Sequence, residues 1–163
     1  MSMHKHTLTL AAVILALALA LNAAPVSAND SSSADIPNPA PAHPELRPVF
    51  EAFGGKAGIT ALMDEFMVIL LDDPRMRPFF ENVDQQRVKD KLAEQVCVIL
   101  GGDCAYTGMD MVEAHAGMEV RHADFNILVE DLQIAMDRRG IATRHQNKLL
   151  AKLAPMHREV INR

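Results

Sequence analysis

Seven histidines, two cysteines and ten methionines give this 163-residue chain its imidazole, thiol and thioether chemistry. Their spacing limits what that chemistry could be. No H-x-x-x-H, H-E-x-x-H or C-x-x-C pattern occurs, which removes the usual zinc frames. His43 falls in a proline-rich stretch, His4 and His6 precede an apolar N-terminal run, and His122, His145 and His157 each adjoin an arginine. His115 differs, because it sits in a short apolar segment four residues after Met111, where both side chains share one helical face. Cys97 and Cys104 flank Gly101-Gly102, a break that lets the chain turn back so that two sulfurs can meet. A disulfide is expected there, two packed thiols being the alternative. In the chain-entropy view it would contribute about 2.5 kcal/mol at the corner leading to His115.

The elements that must position these groups all carry helical periodicity, and none shows strand-like alternation over any length. A short helix is expected over residues 46–53, ending at Gly54-Gly55. A second over 57–71 carries Ile59, Leu62, Met63, Phe66, Met67 and Leu70 at helical spacing. Asp84 is a plausible N-cap for a helix over 85–100, on which Val88, Leu92, Val96 and Ile99 form one stripe and Arg87, Lys89, Asp90, Lys91 and Glu94 face elsewhere. A short helix over 110–116 and a longer one over 123–139 follow. The last, over 143–161, contains Pro155, which is expected to kink it. The stripe could cover one face of a flat ligand, with Met111 and His115 on the other. Imidazole is the commonest proximal donor to haem iron. Six Phe, one Tyr and no Trp make a lean core, and a large apolar cofactor would supply volume.

Outside these elements, residues 1–28 read as a secretory signal. They hold a cationic start around Lys5, a mainly apolar run from Leu8 to Leu21, and Val26-Ser27-Ala28 as a cleavage site. The run is shorter than the roughly 20 residues a spanning helix needs, so no membrane association is expected after cleavage. No Cys stands directly after it and no Arg precedes Arg47, so neither a lipid anchor nor a twin-arginine route is expected. Export to the periplasm would place the cysteines in an oxidising compartment, with any cofactor loaded after crossing. Residues 29–44, rich in Pro and Ser, are expected as a disordered linker, which leaves 45–163 as the domain. Cleavage removes Lys5 and no acid, making the formal charge of −5 one unit more negative. Nucleic acid is thereby disfavoured as a partner.

Taken in order, Phe53-Gly54-Gly55, Gly58-Ile59, Asp73-Pro74, Phe79-Phe80, Gly101-Gly102, Tyr106-Thr107-Gly108, Met111, His115, Phe125 and Ala154-Pro155 resemble a group 1 truncated haemoglobin from about Glu45 onward. The resemblance is to an exported subgroup with cysteines around the Gly-Gly break. It implies an all-α, two-over-two helical sandwich around haem, with His115 as the proximal iron ligand. It also implies Phe80 stacked near the haem, Val88 and Leu92 on the distal side, and Met111 and Phe125 lining the pocket. Lys91 falls where the family often places a cation for a haem propionate, although an ordinary solvated lysine reads equally well there. C-x-x-C-H is absent, so the haem is expected to be haem b held without thioether links.

The departures from the family bear on activity. Where many members place a Tyr on the second helix and a Gln on the stripe helix to hydrogen-bond oxygen, this chain has Met67, beside Phe66, and Leu92. The expected distal pocket is therefore apolar. Reversible binding of O2, CO or NO is expected, while nitric oxide dioxygenase or peroxidase-like chemistry is disfavoured. Two alternatives stay open: a six-coordinate redox module with Met67 as second ligand and an unidentified redox partner, and a haem-free helical interaction domain.

Overall fold

A computed structural model describes residues 39–162. The expected signal segment and residues 29–38 of the expected linker lie outside the described residues. Among the described residues there are helices and turns but no strand, and no helix is long and apolar enough to cross a membrane. The helices are α1 (Arg47–Ala52), α2 (Gly55–Asp72), α3 (Arg77–Phe80), α4 (Gln85–Ile99), α5 (Met111–Ala114), α6 (His122–Arg138), α7 (Thr143–Leu153) and α8 (His157–Val160). Two 3-10 turns, Pro44–Leu46 and Ala154–Met156, complete the set.

The helix α2 buries more than one stripe. Ile59, Leu62, Met63, Phe66, Met67, Ile69 and Leu70 are all covered because α2 packs against both α4 and α6. The pair α2 and α4 makes one layer and α6 with α7 the other, joined by α2 on α6 and α4 on α7, which is the expected two-over-two arrangement. The corner into α2 depends on glycine twice. Gly54 takes φ of 83°, and a Cβ on Gly58 would run into the Phe53 carbonyl. The helix α4 starts where Asp84 accepts a hydrogen bond from the Arg87 amide at 3.0 Å, satisfying one of the orphan donors of the first turn.

Two boundaries differ from expectation. Pro155 does more than kink the last helix. With no N–H to donate it ends α7, and the chain continues as a 3-10 turn and the short α8. The packed chain also begins before Glu45. Ala40 is 2% exposed within the main core, and the Pro39 carbonyl accepts from Gln95 at 2.6 Å. A small side chain needs no bulk of its own to be buried where a neighbouring helix supplies the walls, so composition alone placed this boundary too late.

One buried acid stands apart from the apolar packing. Asp131 on α6 is 2% exposed, and its Oδ2 has no hydrogen-bond partner among the described residues. Burial, reinforced by the Asp73 charge, pushes its carboxyl above the usual range against the opposing pull of Arg75. A raised folded-state pKa contributes stability that is complete below the unfolded value and is lost as pH rises through the raised one. Asp131→Asn, which cannot ionise, should therefore exceed the parent in stability by about 1 kcal/mol at neutral pH, with the advantage gone below about pH 4. Thermal unfolding from acid to neutral pH checks this, and parallel curves for the two proteins would contradict it.

Candidate functional site

The apolar interior is divided in two. The larger cluster is built from α1, α2, α4, α6 and α7, and a smaller one from Met111, Val120 and Val160. Among the described residues Phe79 is the side chain that packs on both. Large side chains at the margins stay half-buried: Phe80, Leu92, Leu128, Leu153 and Met156 on the larger cluster, Met118 and Phe125 on the smaller. Burial of such groups is favourable by about 25 cal/mol per Å2, and for these it is left incomplete; the seam between the two clusters is bridged by Phe79. Val88 is half-buried on the same stretch of α4. Met67 is 4% exposed yet belongs to neither cluster, whereas Phe66 is a member of the larger one, so its contribution is packing.

His115 caps the C-terminal end of α5 and is half-buried. Its Nδ1 lies 2.8 Å from the Met111 carbonyl oxygen. A carbonyl only accepts, so Nδ1 carries a proton, and in the neutral ring Nε2 then keeps its lone pair. That is the tautomer a metal-ligating imidazole needs, oriented by the same kind of backbone acceptor that such ligands commonly use. No group of three or more His, Cys, Asp or Glu placed to hold a metal ion occurs among the described residues.

A helix of four residues does not hold itself, so the backbone around His115 is fixed from outside. Asp110 caps α5 by accepting from the Glu113 amide at 2.8 Å. On the far side Asn162 makes a clamp. Its Nδ2 donates to the His115 carbonyl at 2.6 Å, its Oδ1 accepts from the Val120 amide at 2.8 Å, and its own amide donates to the Val120 carbonyl at 3.1 Å. Upstream, the loop leaving α4 is latched twice on one side of that helix. Cys97 and Cys104 are joined by a disulfide with their Cα atoms 6.1 Å apart. Glu94 accepts from the Thr107 amide at 2.8 Å and from its hydroxyl at 2.9 Å. Burial raises the Glu94 carboxyl, but these bonds and the Lys91 charge outweigh it and hold the group below the usual range.

Lys91 is committed to this latch. Its Nζ donates to both Glu94 oxygens, at 2.8 and 3.0 Å, and to the Thr107 hydroxyl. The expected propionate cation is thus engaged in holding the loop. A groove of about 680 Å3 runs past Lys56, Asp90, Lys91, Glu94 and Cys104, with mixed charges on its walls and no contribution from His115. Of the other expected residues, Met111 is buried in the smaller cluster and Phe125 packs on it.

Several residues at this site carry no sequence signal as strong as that of His115. Asn162 is a polar residue near the chain end, and Gln95 interrupts an apolar stripe. His157 was set aside for its charged neighbour, yet it is half-buried. Its Nδ1 lies 2.9 Å from the Ala154 carbonyl, and its ring centroid is 6.1 Å from those of Phe125 and His122. The signal available for Gln95 was its register, three residues after Leu92 and four before Ile99.

Residues 48–162 match the family described as bacterial-like globin. A group 1 truncated hemoglobin of Tetrahymena thermophila is 30% identical over 94 residues, covering 58% of this chain and 78% of that protein. One from Mycolicibacterium paratuberculosis is 26% identical over 112 residues, covering 69% and 82%. The Fe(III) form of truncated hemoglobin from Tetrahymena pyriformis superposes with a TM-score of 0.67 at 24% identity, over 71% of this chain and 98% of that one. The 2/2 hemoglobin from Synechococcus sp. PCC 7002, solved in the cyanomet state with covalently attached heme, gives 0.65 at 21% identity over the same shares. At these identities the two structures speak for the fold.

The clamp generates a testable consequence. Asn162→Ala removes two side-chain hydrogen bonds from the segment after His115 and should destabilise the protein by about 2 kcal/mol. The Val120 amide should then exchange with solvent faster than the amides of α2. Urea unfolding and hydrogen exchange check both, and wild-type protection at Val120 would show that the clamp is dispensable.

Proposed function

Because the chain belongs to the bacterial-like globin family, we propose that it holds haem at His115 and binds diatomic gases there reversibly. The observation that carries this reading is the contact between His115 Nδ1 and the Met111 carbonyl, which in the neutral ring leaves Nε2 as the nitrogen free to bind iron. The seam suits a flat hydrophobic macrocycle, because Phe80, Leu92, Met118 and Phe125 would each complete their burial against one. Haem iron, when bound, supplies the coordination position at which O2, CO or NO is taken up.

The chain's own residues would tune that position. His115 would hold the iron, Val88 and Leu92 would exclude water from the opposite side, and Met67 would close the pocket without offering a hydrogen-bond donor. Dioxygen polarises when it is taken up, and a donor beside it contributes about 1.5 to 3 kcal/mol. CO polarises less and loses less in an apolar pocket. Haem b without thioether links is the form proposed, since C-x-x-C-H is absent. Export to the periplasm behind a cleaved signal is likewise proposed; a disulfide between Cys97 and Cys104 suits an oxidising compartment, and the acidic charge balance argues against a nucleic-acid partner.

His115→Gly should abolish stable haem uptake, and added imidazole should restore it by replacing the lost ring. Absorbance spectra of purified protein, with and without reductant and CO, read this directly, and all haem should pass into acidified butanone. A wild-type chain that takes up no haem, or a His115→Gly variant with an unchanged spectrum, would overturn the assignment. Leu92→Gln supplies the missing donor and should raise oxygen affinity about ten- to a hundred-fold while moving CO affinity little. Equilibrium titrations with both gases decide it, and an equal gain for both would contradict the apolar-pocket account.

A further inference from the structure

We propose that Gln95 is a positioning residue for His115, and that the short segment it ties down at Pro39 and Ala40 belongs to the site. The inference rests on the haem-binding reading above and concerns how this chain sets its proximal side.

Gln95 lies on the face of α4 otherwise made by Leu92, Val96 and Ile99, yet it is a polar amide only 5% exposed. Burying an amide is costly unless its N–H groups find acceptors, so its contacts show what the position is for. The side-chain Nε2 donates to the Pro39 carbonyl at 2.6 Å. The same nitrogen faces two thioether sulfurs, Met111 Sδ at 3.7 Å and Met156 Sδ at 3.8 Å, which are weak acceptors. Its two amide hydrogens are thus shared among one carbonyl and two sulfurs.

These three partners come from segments that cannot order themselves. The N-terminal stretch around Pro39 has no helix, α5 has four residues, and the turn Ala154–Met156 has three. All three are referred to α4, a fifteen-residue helix capped at Asp84. Met111 stands in the smaller cluster, whereas Met156 packs on the larger, so Gln95 spans the seam from a fixed base. It also acts on the imidazole through one intermediary. The Met111 side chain meets Gln95, and the Met111 carbonyl accepts from His115 Nδ1. A displacement of Met111 turns the ring or weakens the bond that sets its basicity.

An apolar residue of similar length at this position would fill the seam equally well and avoid the desolvation cost, but it could not hold the Pro39 carbonyl. The burial of Ala40 at 2% exposure, next in sequence to Pro39, is consistent with a strap laid down by that bond. Gln95 is thus the point at which the N-terminal segment and the His115 helix are coupled.

The test is Gln95→Met in the full chain loaded with haem. The iron–imidazole stretching frequency of the ferrous, ligand-free protein, read by resonance Raman, should shift from the wild-type value. Haem loss to an acceptor apoglobin should accelerate by about ten-fold, the lower end of what removing an outer-shell partner of a metal ligand costs. A folded variant with an unmoved frequency and an unchanged loss rate overturns the proposal. Should Gln95→Met fail to fold, Ala40→Glu decides instead. It forces the strap off while keeping every residue of α4, and it should shift the frequency in the same direction, an unmoved frequency again being fatal. If wild-type protein takes up no haem, the haem-binding reading has failed and this inference falls with it; where haem is bound without that band because the iron is six-coordinate, the haem-loss rate decides. A normal wild-type band that Gln95→Met leaves in place sinks this inference alone.

Discussion

An imidazole can present only one nitrogen to a metal while the other is protonated, and the partner of the protonated nitrogen determines which one it is. In this chain that partner is the Met111 carbonyl, four residues before His115 and 2.8 Å from its Nδ1. The bond is local, yet it exists only where α5 closes its single turn. Everything around the site serves to keep that turn formed: the Asp110 cap, the Asn162 clamp, the Glu94 and disulfide latches, and Gln95 against the Met111 side chain. A segment this short has too few internal bonds to offset the entropy of fixing it. Its order is therefore borrowed from α4 and from the chain end.

The divided core is the second constraint. A chain with six Phe and no Trp fills one large cluster around α2 and a small one around Met111, with half-covered side chains packed against each. In a protein that closed on itself those groups would interdigitate. Membership in the bacterial-like globin family accords with a core divided in this way.

Most of the fold was legible from residue pattern. The apolar spacing of α2 and α4, the Asp84 cap and the Gly54-Gly55 and Gly101-Gly102 breaks are each produced by interactions within a few residues. Local spacing records such interactions faithfully. The missed boundary at Ala40 has a different cause: a residue with no bulk is buried by walls that other elements supply, so no property of its own neighbourhood announces it. Lys91 is a similar case, since its partner Thr107 lies sixteen residues away across a loop.

What the sequence determined by itself was the class of fold and the candidacy of His115, reached because every rival histidine stood in a worse local setting. What only the tertiary structure decided was the state of that residue and the identity of its supports. Asn162 reaches Val120 and His115 across 42 and 47 residues, and Gln95 reaches Pro39 and Met156 across 56 and 61. Hydrogen bonds over such separations leave no periodic trace, because they depend on where folding brings two helices and a chain end together. A buried amide and a buried carboxylate look alike in sequence, as polar interruptions of an apolar stripe. Only their surroundings show that Gln95 is satisfied and that Asp131 Oδ2 lacks a hydrogen-bond partner among the described residues.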